Sequence, residues 1–137
     1  MKQRTLLLIK PDAVEARHVG EIISIIQHHG FEICQVKVFR FDPDLCSIFY
    51  KDHLGKDFYP RLESFMCKGK TWALVLEMDD AVQRLRDLLG DVVPEKRKPG
   101  TIRAVFGHGI TDNGAHGSDS LQSAEREIGV IFGSYPQ

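Results

Sequence analysis

Residues 5–9 read Thr-Leu-Leu-Leu-Ile and are closed at once by Lys10-Pro11-Asp12. So short and so nearly continuous an apolar run has the signature of a central strand in a sheet. The proline that follows cannot extend a strand ladder, so the strand ends in a turn. The remaining segments have to pack around a strand of this kind.

They come in alternation. Residues 19–29 place Val19, Ile22, Ile23, Ile25 and Ile26 at helical spacing, with Gly30 as the stop. Residues 31–41 alternate Phe31, Ile33, Gln35, Lys37 and Phe39 against their neighbours, which predicts a long strand with at least one buried face. Asp42 is placed to cap a helix opened by Pro43. That helix carries Leu45, Ile48 and Phe49 and reaches toward His53. Residues 57–66 form a short helix with Phe58, Leu62, Phe65 and Met66 as its apolar positions, and residues 71–78 a third strand. Asp79-Asp80 cap a helix that turns Val82, Leu85, Leu88 and Leu89 to the core and ends at Gly90. Residues 91–100 are a polar loop with two prolines, and residues 101–106 read as an edge strand. Ser118 or Asp119 caps a last helix with Leu121, Ala124 and Ile128 inward. The tail after Phe132 is short.

No repeat, low-complexity tract or linker divides the chain, so residues 1–137 are expected to form one domain. That length buries a core without disulfides or a structural metal. The element order implies an α/β sandwich with helices covering one face of the sheet. An antiparallel ferredoxin-like sheet and a parallel doubly wound sheet both satisfy it.

Composition excludes several functions. A net charge of −1 gives no global field toward nucleic acid or anionic lipid, so any anion site must be a local cluster of cations. Cys34, Cys46 and Cys67 are odd in number and scattered, neither a disulfide framework nor a CxxC pair. They read as core fillers in a reducing compartment. Residues 1–4 lead into too short an apolar run for a signal peptide, and no run approaches membrane-spanning length. A cytoplasmic protein without membrane contact is expected.

Chemistry concentrates in Asn113-Gly114-Ala115-His116-Gly117-Ser118-Asp119-Ser120. Small neighbours are expected to leave the His116 ring uncovered and able to act as a nucleophile, with Ser118 capping a helix and offering its hydroxyl to the site. Glu127 follows Ser118 by nine residues on the last helix and can orient the imidazole. A surface charge run with Glu125 and Arg126 is the other reading of Glu127. Lys10, Arg84, Arg86 and Arg103 form a spaced set of cations suited to phosphate. No GxxxxGK[ST] or GxGxxG loop is present, so side chains would have to hold a nucleotide's phosphates. His18, His28, His29, His53 and His108 show no metal-binding spacing, and a GxSxG elbow is absent. Zinc and serine hydrolases are therefore disfavoured.

Six blocks together resemble the nucleoside diphosphate kinase family from end to end. They are residues 9–14 (Ile-Lys-Pro-Asp-Ala-Val), Phe49-Tyr50 with His53, Phe58-Tyr59, residues 81–84 with 86–90, Pro99-Gly100-Thr101-Ile102-Arg103, and His116-Gly117-Ser118-Asp119-Ser120 with Ser123-Ala124 and Arg126-Glu127-Ile128. The resemblance implies a ferredoxin-like α/β (α+β) sandwich with a four-stranded antiparallel sheet. It implies ping-pong transfer of the γ-phosphate from a nucleoside triphosphate, typically ATP, to a nucleoside diphosphate through phosphohistidine at His116. Lys10 and Asn113 would contact the ribose hydroxyls, and Lys10 and Tyr50 the transferred phosphate. Arg86 and Arg103 would bind the diphosphate, Phe58 and Ile110 would sandwich the base, and Ser118 and Glu127 would hold and polarise His116. The Mg2+ cofactor would ride on the phosphates without a protein ligand. Low base specificity follows, because stacking reads only a flat π-face. A homo-oligomer, tetramer or hexamer, is the expected assembly, with no obligate nucleic-acid partner.

The loop after Gly90 departs from the family pattern, placing Val92 where threonine is usual. A lost hydrogen bond to a charged group costs about 1.5–3 kcal/mol, or about ten- to a hundredfold. Asp91 adds a negative charge beside it. Lys68-Gly69-Lys70 replaces the family's serine-glycine-proline, away from the chemistry. The competing reading is a nucleotide-binding regulatory homologue with reduced turnover.

Overall fold

The computed structural model describes residues 2–133, so Met1 and all of the tail beyond Gly133 lie outside the described residues. The elements run β1 (Lys2–Ile9), α1 (Pro11–Glu15), α2 (Val19–His28), β2 (Glu32–Arg40), α3 (Pro43–Phe49), α4 (Tyr59–Met66), β3 (Lys70–Asp79), α5 (Ala81–Leu89), α6 (Ile102–Phe106), β4 (Ala115–Gly117) and α7 (Leu121–Phe132). Short 3-10 turns occupy Lys51–His53 and Pro94–Lys96. The strands form one sheet in the order β2-β3-β1-β4, every pairing antiparallel. This α+β arrangement decides between the two sheets that periodicity left open.

Residues 6–9 of β1 are all fully buried. Alternate strand positions face opposite sides of a sheet, so both faces need cover. Leu7 and Ile9 pack with α1, α2, α5 and α6 through Ala13, Ile22, Ile26, Leu85, Leu89 and Ile102. Leu6 and Leu8 pack with α3, α4 and α7 through Cys46, Phe49, Leu62, Met66 and Ile131. Helices thus cover both faces, not one. Each buried Leu or Ile contributes about 1.5–3 kcal/mol, which leaving one face open would forfeit.

Other departures have equally local causes. β2 has no fully buried residue along its length, because it is the sheet edge and a bulge between Ile33 and Gln35 breaks its register with β3. Phe31 and Phe41, just outside it, supply the burial. The segment expected as an edge strand is helix α6: the Thr101 hydroxyl accepts from the Ala104 N–H, and Ile102 and Phe106, one turn apart, both enter the core. The true second edge is β4, three residues without periodic signal.

Asp42 caps α3 by accepting from the Leu45 N–H at 2.8 Å. The helix stops at Phe49, leaving Ile48 exposed and His53 in the 3-10 turn. Asp80 does not cap α5 with its side chain; the Gln3 amide oxygen, reaching from β1, accepts from the Val82 N–H. On α7 the inward positions are Ala124, Glu127 and Ile131, while Leu121 is exposed.

Candidate active site

β4 is laid against the C-terminal half of β1, with His116 directly opposite Leu8. Opposed residues of an antiparallel pair share a face, so His116 projects toward α3 and α7, the side on which Leu8 packs. Gly117 faces the other way, where an added Cβ would lie 2.7 Å from Leu89 Cδ1. Only glycine lets β4 sit this close to α5.

Small sequence neighbours did not leave the imidazole bare. Phe49 and Tyr50 stand edge-on to it at ring separations of 5.5 and 6.1 Å, and its side chain is 22% exposed. Ser118 and Asp119 do not cap α7. Ser120 does, accepting from the Ser123 N–H at 3.0 Å. The fully buried Ser118 hydroxyl is thereby left to donate to Glu127 Oε1 at 2.7 Å. The same carboxylate oxygen lies 3.1 Å from His116 Nε2.

Burial of Glu127 acts to raise its pKa. The hydrogen bond and charge of His116, the Ser118 hydroxyl and Arg126 outweigh it and hold the carboxyl below its ordinary value. Glu127 is therefore an acceptor, which in the neutral imidazole favours the tautomer with the proton on Nε2 and the lone pair on Nδ1. The charge-run reading of Glu127 gives way, since the side chain is buried.

The histidine opens on a cavity of about 680 Å³. Arg86, Arg103, Lys96 and Lys98 supply positive charge around it, and Val92 lines the same wall. Arg103 is fixed by backbone carbonyls, donating Nη1 to Gly90 O at 2.7 Å and Nη2 to Ala115 O at 3.0 Å. Burial first, then the charges of Arg97 and Arg86, lower its pKa to about 10, still protonated at neutral pH. Asp91, expected to oppose phosphate, partly serves the loop: its Oδ1 accepts from the Val93 N–H at 2.9 Å. Tyr50 is buried against the cavity. That burial, with Cys46 and Glu127 nearby, raises its pKa and keeps the phenol protonated.

Lys10 and Asn113 are brought together but beside the cavity wall. Lys10 Nζ donates to Asn113 Oδ1 at 3.1 Å and Thr111 O at 2.8 Å, and the Asn113 amide donates to Ile110 O at 2.7 Å. Both residues are buried. Desolvation lowers the Lys10 pKa to about 8, against the attraction of Asp12. Phe58 and Ile110 stand outside the wall, 41% and 62% exposed, and Arg84 is exposed away from it.

Sequence reasoning missed three cationic residues of the cavity. Lys96 and Lys98 belong to a loop that carries no periodicity. Arg126 looked like part of a charge run, yet it donates to Ile48 O and Phe49 O at 3.2 and 3.0 Å. It thereby ties α7 to the end of α3 that braces His116.

The model of the nucleoside diphosphate kinase family matches residues 3–136. The chain belongs to that family. Among relatives of this kinase, the nucleoside diphosphate kinase of Methanocaldococcus jannaschii is 41% identical over 96% of the chain and 94% of its own length. That of Glaesserella parasuis is 43% identical, with 96% of each covered. The structure of the Aquifex aeolicus nucleoside diphosphate kinase superposes with a TM-score of 0.93 at 39% identity, covering 96% of each chain. A halophilic relative from Halobacterium salinarum, solved in complex with CDP, also gives 0.93, at 34% identity over 96% of this kinase and 88% of that chain.

Proposed function

We propose that this kinase transfers a γ-phosphate from a nucleoside triphosphate, typically ATP, to a nucleoside diphosphate through phosphohistidine at His116. The observation that carries the reading is the Ser118–Glu127–His116 chain, opening on a cavity whose wall sets Arg86, Lys96, Lys98, Arg103 and Arg126 beside Asp52, Asp87, Asp91 and Asp119. Nδ1 forms a bond to the γ-phosphorus as the bond to the bridging oxygen breaks, and the diphosphate leaves with that electron pair. A second diphosphate then attacks the same phosphorus through a terminal oxygen, and Nδ1 recovers its lone pair. Glu127 stabilises the positive charge on the ring in both halves. Arg86, Arg103, Lys96 and Lys98 offset charge on the phosphates, which is most of what phosphoryl transfer asks of a protein. Tyr50 donates to the moving phosphoryl group, and Lys10 and Asn113 serve the ribose end. Phe58 and Ile110 hold the base outside the cavity wall, where their exposure leaves apolar faces to stack on.

Among the described residues no three His, Cys, Asp or Glu side chains gather into a metal nest. Mg2+ would instead be delivered on the phosphates, and Asp119, Asp87 and Asp52, which line the cavity, are the carboxylates that would bind its waters. Bound there, the ion neutralises part of the phosphate charge.

Labelled ATP is expected to leave an acid-labile, base-stable phosphoprotein that ADP or GDP discharges. A chain that stays unlabelled while still binding nucleotide is instead the regulatory homologue. Val92→Thr restores a hydroxyl to the phosphate wall and is expected to raise kcat/KM about ten- to a hundredfold. An unchanged or lower value overturns that assignment of Val92.

Lys10 predicts an alkaline limit. Free enzyme loses the Lys10 charge as pH rises through about 8, so kcat/KM should fall there, whereas bound phosphate holds the proton and moves the limit on kcat higher. The stability effect has the opposite sign. Between about 8 and 10.5 the unfolded chain binds more protons at this lysine, so its burial penalty is relieved as pH rises. Paired pH profiles of kcat/KM and thermal unfolding check both.

β2 is a sheet edge with Val36 and Val38 49% and 45% exposed. Such an edge is a template for strand pairing, and we take it as the contact of a homo-oligomer, tetramer or hexamer, to be read from mass in solution. Single-domain organisation and a cytoplasmic location complete the reading. The family match over residues 3–136 supports the first and the three free cysteines the second; among the described residues no helix is long and apolar enough to cross a membrane.

A further inference from the structure

We infer that Arg97 is a positioning residue that ties the phosphate wall of the cavity to the loop presenting Ile110, and so sets the span available to a nucleotide. Its guanidinium reaches backbone carbonyls from separate stretches of chain. Nε donates to Asp91 O at 2.9 Å, and Nη2 to Val92 O at 2.8 Å and Gly109 O at 2.7 Å. Nη1 donates to His108 O at 3.2 Å, with a longer contact of 3.5 Å to Arg103 O. A planar fork of five N–H groups suits this task, and a lysine's single ammonium does not.

Among the described residues no other side chain bonds both to segment 91–92 and to the loop at 108–109; Arg103 bridges Gly90 O and Ala115 O on the other side. Residues 91–100 contribute no fully buried side chain, and their backbone is folded on itself by local bonds such as Lys96 N–H to Val93 O. Among the described residues, the hydrogen bonds that carry segment 91–99 beyond Thr101 all come from Arg97. The far loop is internally rigid: Asp112 accepts from the Gly109 N–H at 2.8 Å, and Asn113 holds Ile110 O while accepting from Lys10. A continuous path therefore runs from Val92 through Arg97 to Gly109, Ile110, Asn113 and Lys10. Under the kinase reading, on which this inference rests, its two ends are the phosphate wall and the base and ribose contacts. A nucleotide has to span them, whereas a donor without base or ribose meets only the histidine and its cations.

The test compares ATP with phosphoramidate, whose P–N bond breaks and releases ammonia as phosphorus bonds to His116 Nδ1. In Arg97→Met, kcat/KM for ATP and GDP is expected to fall about ten- to a hundredfold, mainly through KM, the size of a few lost charged hydrogen bonds. Arg97→Lys, which keeps the charge and is the milder change for folding, should recover little of it. Labelling of His116 by phosphoramidate should match the wild type in both. Two results overturn the inference: nucleotide kcat/KM close to wild type in both variants, or phosphoramidate labelling that falls in step with ATP, which makes Arg97 a general strut. A wild type that takes phosphate from neither donor removes the kinase reading instead.

Discussion

His116→Ala is expected to leave no covalent phosphate on the protein and to lower kcat/KM for nucleotide transfer by roughly 10⁴-fold or more, the scale seen when a nucleophile is deleted. The loss should be chemical, not architectural. β4 is held by backbone pairing to β1, and Arg103 is fixed by the Gly90 and Ala115 carbonyls without the imidazole. Nucleotide binding should survive. Stability should drop by about 1–3 kcal/mol, because Glu127 keeps its buried charge and loses a partner. Labelled ATP, a nucleotide Kd and a melting curve separate these effects. Label retained by the variant would assign the phosphate to another residue.

Glu127→Gln should be the next largest loss, about 10²- to 10⁴-fold in phosphoenzyme formation, comparable to neutralising the carboxylate behind a catalytic histidine. Glutamine retains an acceptor but not the charge that stabilises the ring once phosphorus is attached. Its amide nitrogen can also face Nε2 and favour the wrong tautomer. Because Ser118 and His116 share Glu127 Oε1, Ser118→Ala combined with Glu127→Gln should cost less than the sum of the two. Single-turnover labelling measures both. A nucleotide Kd that rises as steeply as the rate falls would place Glu127 in binding instead. The pH dependence has a definite sign. The folded carboxyl titrates below its unfolded value, so its stabilisation is present above the ordinary carboxylate range and is lost as pH falls through the lower folded value. Glu127→Gln should remove that part of the acid sensitivity.

Much of the architecture was legible where local chemistry and packing agree. The run at residues 5–9, the isoleucine spacing of α2, the Asp42 cap and the stops at Gly30 and Gly90 all stand in the structure. His116 and Glu127 were legible as a pair because both lie within one short stretch, strand to helix. Residues 101–106 were not: a Thr-Ile-Arg-Ala-Val-Phe segment fits a strand as readily as a helix, and the decision came from a threonine cap and two side chains buried one turn apart. Ser118 and Ser120 are equally good caps by type. The geometry of α7 gave the cap to Ser120 and turned Ser118 toward Glu127.

By itself the sequence singled out His116 and Glu127 as a pair, most of the strands and helices, and the resemblance that joined them. Those are properties of residue type and short spacing. Tertiary structure decided what depends on distant segments meeting. Both sheet faces are covered because every apolar position of β1 needs a partner. Phe49 and Tyr50 flank His116 because α3 packs on the face Leu8 shares with it. Arg97 gathers carbonyls from loops as much as twelve residues away, acceptors that every residue possesses and that no residue name reveals.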